Sequence, residues 1–286
     1  MNLEKYLDSK RKIIEKALGN YLQAPSQKPQ VLSRALRYAV LGGGKRLRPI
    51  LVIAAAEQVN GNTPKAVPAA CAIELLHAFS LIHDDLPCID NDDLRRGRPT
   101  LHKIYGEGIA VLAGDALMAL AFELLAQTGN LQVLSEVAQA IGRQGMIGGQ
   151  IADLEAEGKK IKLSQLEFIH KNKTAALIKA SIRAGAILGG ADSQKLKILS
   201  NYGEKIGLAF QIIDDILNVE GQEEKIGKKV GSDNLKKKAT YPKIVGLVNS
   251  KIMAQKLTRE AKASLKNLPN GKILQELADY LLSRIK

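Results

Sequence analysis

Two apolar, helix-patterned segments of this chain carry adjacent aspartates, and few folds tolerate that. The first, AIELLHAFSLI (Ala72–Ile82), runs straight into HDDLPCIDNDDLRRGRPT (His83–Thr100), which holds Asp84, Asp85, Asp90, Asp92 and Asp93 ahead of Arg95, Arg96 and Arg98. The second, GLAFQIIDDILNV (Gly207–Val219), embeds Asp214 and Asp215, with Asn218 one turn on. Carboxylates driven to the end of a buried helix without partners repel one another and lose hydration. A hard divalent cation with oxygen ligands removes that cost, and magnesium is the usual choice where phosphates complete the coordination. The arginines just behind are fork donors suited to phosphate oxygens. The competing reading of the first cluster is a solvated, charged loop after a helix. On a continuous helix Asp84 and Asp90 would point about 120° apart, and Pro87 disfavours helical geometry at Leu86. The sequence therefore predicts a bend near Pro87 that lets the two carboxylates converge.

The rest of the chain reads as helices. Trp is absent and aromatics make up 4% of the residues, while Ala, Leu, Ile and Lys abound, a composition of helix formers. Apolar spacing predicts helices over 1–22, 31–41, 50–59, 68–82, 108–127 and 131–145, the last continuing toward Gln150 and Asp153. Ser164 then caps a helix with Glu167 at the reciprocal position, followed by helices over 175–188, 193–206 and 207–219 and a last pair beyond Pro242. No strand alternation or hairpin signal persists. Gly42-Gly43-Gly44 feeds Lys45 and Arg48 into a helix start, where residues three apart share a face and can cradle an anion. Lacking the Ser or Thr of a phosphate-binding loop, this motif alone fits a surface turn equally well. His77, alone in an apolar helix, reads as a core residue. The glycine-punctuated loop Gly227–Pro242 supplies Lys228, Asp233 and Lys238.

Composition excludes several classes. At 286 residues the chain is long enough for a substantial core. Two cysteines, Cys71 and Cys88, are too few for a disulfide framework and suit a reducing compartment. The amino-terminal stretch mixes charge with apolar residues and lacks the layout of a signal peptide. Gly108–Ala126 is the longest apolar run, yet it carries Asp115 and Glu123, which are costly at mid-bilayer; it reads as a buried helix. A soluble, cytoplasmic protein without stable membrane insertion is expected. A net charge of +13 favours encounters with anions. Nucleic acid does not fit, because stacking aromatics, a basic helix and zinc-finger spacing are all missing.

Seven blocks now occur together in a set order: GGGKRLRP (42–49), ELLHAFSLIHDDLPCIDNDDLRRGRPT (74–100), LAGDAL (112–117), GGQIADLEAEGK (148–159), KTAALI (173–178), FQIIDDILNV (210–219) and GKKVGSDNLKKKATYP (227–242). On these motifs the chain resembles the trans-isoprenyl diphosphate synthases, and within them the bacterial-type farnesyl diphosphate synthases. The resemblance implies an all-α fold, one domain over residues 1–286 with roughly a dozen helices around a central cavity, usually assembled as a homodimer. It implies condensation of isopentenyl diphosphate with dimethylallyl and then geranyl diphosphate.

Carried over position by position, the resemblance assigns Lys45, Arg48, His77 and Arg96 to isopentenyl diphosphate, which turns His77 from core residue into ligand. Asp84, Asp90 and Asp214, supported by Asp85 and Asp215, would hold three Mg²⁺ ions, with Mn²⁺ as a substitute. Arg95, Lys173, Lys228 and Lys238 would add positive charge on the allylic leaving group, and Thr174 and Gln211 would line the reacting carbon. Bacterial farnesyl diphosphate synthases usually carry a third aspartate where this chain has Asn218; an amide oxygen coordinates a cation without adding charge, so weaker metal affinity on that side is expected. Phe79 and Ser80, five and four residues before Asp84, are the positions at which this family sets product length. A phenyl ring there implies the fifteen-carbon farnesyl product, with geranylgeranyl or geranyl diphosphate as the alternatives and an ordinary core phenylalanine as the bland reading. A terpene cyclase would not need the second diphosphate site of Lys45, Arg48 and Arg96. A non-catalytic partner subunit would typically lack the aspartates.

Overall fold

The structure is a computed structural model that describes residues 2–22, 26, 28–59, 63–220, 238–269 and 271–285. Fourteen α-helices lie among them: α1 (Leu3–Tyr21), α2 (Gln30–Leu41), α3 (Leu47–Val59), α4 (Thr63–Asp84), α5 (Leu101–Tyr105), α6 (Glu107–Gln127), α7 (Leu131–Ile141), α8 (Met146–Ala156), α9 (Leu163–His170), α10 (Ala176–Leu188), α11 (Ser193–Glu220), α12 (Tyr241–Val245), α13 (Leu247–Ser264) and α14 (Lys272–Leu282). One π-helical turn, Lys171–Ala175, joins α9 to α10. The all-α expectation therefore holds.

The two longest helices among the described residues form the centre. Helix α4 packs on α3, α6 and α10, while α11 packs on α10 and α13. Burial is nearly continuous along α3, from Pro49 to Ala56, and α4 buries Cys71 to Leu76 without interruption. Both α4 and α6 are long and apolar enough to cross a bilayer by length and composition, but α4 buries that length against its neighbours. Amphipathic helices such as α2 and α14 cover the outside with one apolar face each. Asn2 Oδ1 accepts the Glu4 N–H at 3.0 Å and Asn130 Oδ1 accepts that of Val133 at 3.0 Å, satisfying first-turn donors of α1 and α7.

Several boundaries differ from expectation, each for a local reason. Helix α4 starts at Thr63 with Pro68 inside it, which forgoes only one backbone hydrogen bond near the amino-terminal end. The helix predicted over 131–145 stops at Ile141 and α8 begins anew at Met146. A Cβ at Gly145 or Gly148 would run into the carbonyls of Ala140 or Arg143, so glycine permits a reversal that other residues would block. The two segments predicted over 193–206 and 207–219 form one continuous helix, α11. Gly203 and Gly207 do not break it; a Cβ at Gly207 would lie 2.8 Å from Ala175 Cα, so glycine lets the π turn approach. Ser164 is not the cap of α9. Gln165 Oε1 instead accepts the Lys162 N–H at 2.9 Å, and Glu167 accepts the Tyr241 hydroxyl at 3.3 Å.

A small hairpin also appears where none was expected. Leu94–Arg95 (β1) pairs antiparallel with Arg98–Pro99 (β2). Its two-residue turn, Arg96-Gly97, has φ of 55° and 73°, the paired positive values of a type I′ turn. Two-residue strands are too short for alternation to reveal them.

Candidate active site

Helix α4 ends at Asp84, and the chain turns through 85–90 before Asp90 returns its backbone N–H to the Asp84 carbonyl at 2.8 Å. This is the bend predicted at Pro87. Asp85 N–H keeps to Leu81 and Asp92 N–H reaches the Asp85 carbonyl at 3.2 Å, so the loop coils tightly over the helix end. The hairpin that follows aims its arginines in two directions. Arg95 grips buried Asp85, Nε to Oδ1 at 3.0 Å and Nη2 closer still, and touches Asp92 at 3.3 Å. Arg96 turns the other way and donates to the carbonyl of Gly43. Gly43 and Gly44, at φ of 94° and 130°, adopt backbone that favours glycine, and a Cβ at Gly44 would strike the Arg96 guanidinium.

The glycine loop is locked from below by Arg46, which sequence reasoning left without a role. Its guanidinium is buried, donating to Glu74 of α4 at 2.7 Å and to the Val40 carbonyl at 2.6 Å. Arg48 then emerges on α3 beside His77, Nη1 to Nε2 at 3.3 Å. Burial, reinforced by Arg48 and Arg96, holds the His77 imidazole well below its usual range, so it is neutral at physiological pH. Lys45 stands exposed just before α3 rather than on its opening turn.

These elements surround a cavity of about 720 Å³. Arg48, His77, Phe79, Ser80, Asp84, Arg95, Arg96, Lys173, Thr174, Gln211, Asp214 and Asp215 all line it. Asp90 and Lys238 line an adjoining recess shared with Asp84 and Asp215. The sequence-predicted residues thus converge, apart from Lys45 and Asp85 at the margin and Lys228, which lies outside the described residues.

The π turn presents Lys173 and Thr174. Lys173 Nζ donates to Asp153 of α8 at 2.6 Å, and Lys238 Nζ bridges Asp90 at 2.8 Å and Asp153 at 3.5 Å. Burial alone would push the Asp153 carboxyl up, but the two lysines hold it below the usual carboxylate range. Thr174 donates to Gln211 Oε1 at 2.6 Å, and Gln211 Nε2 donates to Asp215 Oδ1 at 3.0 Å. Asp215 Oδ2 accepts the Tyr241 N–H at 2.9 Å. His170 stacks on the Tyr241 ring, with centroids 5.4 Å apart, and stands 3.5 Å from Asp215; burial pushes its imidazole down to about 3. Asp214 takes an ion pair from Arg284 at 2.8 Å, and that guanidinium lies 5.5 Å over the Phe210 ring. Arg284, Asp153 and His170 were missed as site residues. Asp153 sits in a recognisable block, whereas Arg284 belongs to no motif.

The carboxylates suit a hard cation. Burial raises both Asp84 and Asp214, Asp84 despite nearby Lys173 and Asp214 despite Arg284. Among the described residues no three acidic, His or Cys side chains are grouped to hold an ion by themselves. Magnesium fits such a site when one or two carboxylates are joined by substrate phosphate oxygens.

Residues 29–275 match the Polyprenyl synthetase family model. The chain belongs to the polyprenyl synthetase family. Among its relatives, a farnesyl diphosphate synthase from Geobacillus stearothermophilus is 43% identical over 96% of this chain and 93% of that protein. The chloroplastic large subunit 1 of a heterodimeric geranylgeranyl pyrophosphate synthase from Arabidopsis thaliana is 46% identical over 98% of this chain and 78% of that protein. A crystal structure of an FPP/GFPP synthase from Zymomonas mobilis superposes with a TM-score of 0.88 at 38% identity, covering 98% of this chain and 99% of that one. This polyprenyl synthetase is a short-chain trans-prenyltransferase with the isoprenoid synthase fold.

Proposed function

We propose that this enzyme joins isopentenyl diphosphate to dimethylallyl and then geranyl diphosphate, and stops at farnesyl diphosphate. The observation that carries the product length is Phe79, a buried ring in the cavity wall five residues before Asp84. It lies about 7.5 Å back along α4 from the aspartate that faces the diphosphate, where a growing chain would meet it. Geranylgeranyl diphosphate is the second reading, favoured by the plant relatives at similar identity.

Arg48, Arg96, His77 and Lys45 bind isopentenyl diphosphate in this reading: two guanidiniums give fork donors, and the neutral imidazole adds a donor without further repulsion. Asp84, Asp90 and Asp214 would hold Mg²⁺, three ions being expected, with Asp85 and Asp215 orienting their neighbours. Bound magnesium neutralises charge developing on the departing diphosphate. Lys173, Lys238 and Arg95 reinforce that from fixed positions, and such preorganised charge acts strongly in a site screened from water; Lys228 is assigned to the same leaving group by its charge alone. The Asp153 carboxylate keeps Lys173 and Lys238 side by side against their mutual repulsion. Thr174 and Gln211 turn oxygen toward the carbon from which the diphosphate leaves. The freed diphosphate is base enough to take the final proton, so no separate histidine or carboxylate base is required. A cytoplasmic homodimer completes the proposal, the dimer being supported by apolar Val111 and Leu112, which α6 leaves exposed.

Incubation with dimethylallyl diphosphate, isopentenyl diphosphate and Mg²⁺, followed by product chromatography, tests the proposal. Farnesyl diphosphate as main product is expected. A twenty-carbon main product overturns the chain-length reading, and no product overturns the activity.

A further inference from the structure

The Phe79 ring does not stand alone in the cavity wall. It meets the His83 imidazole one turn further along α4 edge-on, with centroids 4.9 Å apart and planes at 77°, the arrangement that ring quadrupoles favour. His83 is itself anchored across the helix interface. Its Nε2 lies 3.2 Å from the Val111 carbonyl of α6 and 3.9 Å from Asp115 Oδ1. Helix α6 comes this close because residue 114 is glycine; a Cβ there would collide with the His83 ring nitrogen. His83, Asp115 and Phe79 all line the same cavity.

We propose that His83, seated against Gly114 and tied to Val111, is a second specificity-determining residue that fixes the Phe79 ring and with it the product length. This rests on the farnesyl reading above. On a helix a phenylalanine has two favoured χ1 rotamers, and the imidazole backs the one in which the ring is seen. A lengthening prenyl tail presses on that ring. With the imidazole in place the ring stays and elongation stops. Without it the ring swings aside and a further five-carbon unit enters.

The test compares wild type, Phe79→Ala, His83→Ala, His83→Phe and Gly114→Ala, each given dimethylallyl diphosphate with excess isopentenyl diphosphate and Mg²⁺. Product ratios are read at equal conversion and folding is checked by thermal melting. His83→Ala raises the ratio of twenty- to fifteen-carbon product by about tenfold, the upper weight of one aromatic pair, although Phe79 is intact. His83→Phe keeps a ring behind Phe79 and retains the fifteen-carbon product. Gly114→Ala evicts the imidazole from its seat and lengthens the product as His83→Ala does. A merely structural role for His83 would change rate and melting temperature and leave the ratio untouched. Unchanged ratios in His83→Ala and Gly114→Ala, with Phe79→Ala still lengthening, overturn this inference and leave the farnesyl reading standing. Should His83→Ala fail to fold, the Gly114→Ala ratio decides. A wild type that makes twenty-carbon product, or a Phe79→Ala that stops at fifteen, removes the farnesyl reading itself.

Discussion

Gly207→Ala tests whether the packing of two helices sets the geometry of the reaction site. The added Cβ would sit 2.8 Å from Ala175 Cα and Cβ. To reach the 3.4 Å at which ordinary contact begins, α11 and the π turn must separate by about 0.6 Å. Two effects on stability oppose one another. Alanine in a helix interior is better than glycine by about 1 kcal/mol, while overpacking a filled contact costs about 1–3 kcal/mol. The clash wins by about 1 kcal/mol, which lowers the melting temperature by about 3 °C for a domain of this size. The larger effect is on the site. Thr174 adjoins Ala175, and Gln211 lies one turn beyond Gly207, so the same displacement stretches their 2.6 Å hydrogen bond to about 3.2 Å, past the range of O–H···O bonds. Misplacement of this order lowers turnover by about tenfold or more. Gly19→Ala on α1 is the control, because no atom lies within 4 Å of its new Cβ; it should gain about 1 kcal/mol and keep full turnover. The assay is thermal melting beside steady-state product formation. A Gly207→Ala enzyme as stable and active as the Gly19→Ala enzyme would refute the reasoning.

Asp84→Asn should abolish turnover while raising the melting temperature of the metal-free protein at neutral pH, since burial raises the Asp84 carboxyl. A folded-state pKa above the unfolded one means stability falls as pH rises from the usual aspartate value through the raised one, so melting at acid pH should show the Asn gain shrinking; a gain independent of pH would contradict this. Asn218→Asp adds a carboxylate one turn from Asp214 and should move half-maximal activity to lower Mg²⁺ concentration; an identical metal titration would place residue 218 outside the coordination sphere. Arg284→Met removes a half-buried ion pair and a ring contact and should cost about 1 kcal/mol, seen as a melting temperature lower by about 2–4 °C in metal-free buffer. No shift there would mean the Asp214–Arg284 pair contributes nothing to folding.

Much of the site was legible because its chemistry is expensive. Asp84, Asp85, Asp214 and Asp215 stand out in apolar helices, where nothing but a partner or an ion justifies them, and Pro87 announced the bend that joins Asp84 to Asp90. Less was legible where meaning depends on a neighbour distant in sequence. Glycines at 145 and 207 look alike in the sequence, yet one stands just before a helix start and the other is an approach point inside a helix. The partners of Arg46 and Arg284, Glu74 and Asp214, lie far away along the chain, and neither arginine repeats with a period. Capping by Gln165 instead of Ser164 shifts the start of α9 by two residues, a distinction that propensity is too blunt to make.

The bonds from Thr174 to Gln211 to Asp215 run in one direction only. Each group gives its proton toward the buried carboxylate, which also holds the Tyr241 N–H. The proton of the Thr174 hydroxyl is therefore spent on the protein, and what this hydroxyl turns to the cavity is electron density. For the carbocation of the proposed reaction such a surface is hospitable without being nucleophilic, because an oxygen tied into a row of hydrogen bonds has a fixed place. The row thus aims a fixed partial negative charge at the developing cation, and the hydroxyl cannot turn its proton toward it.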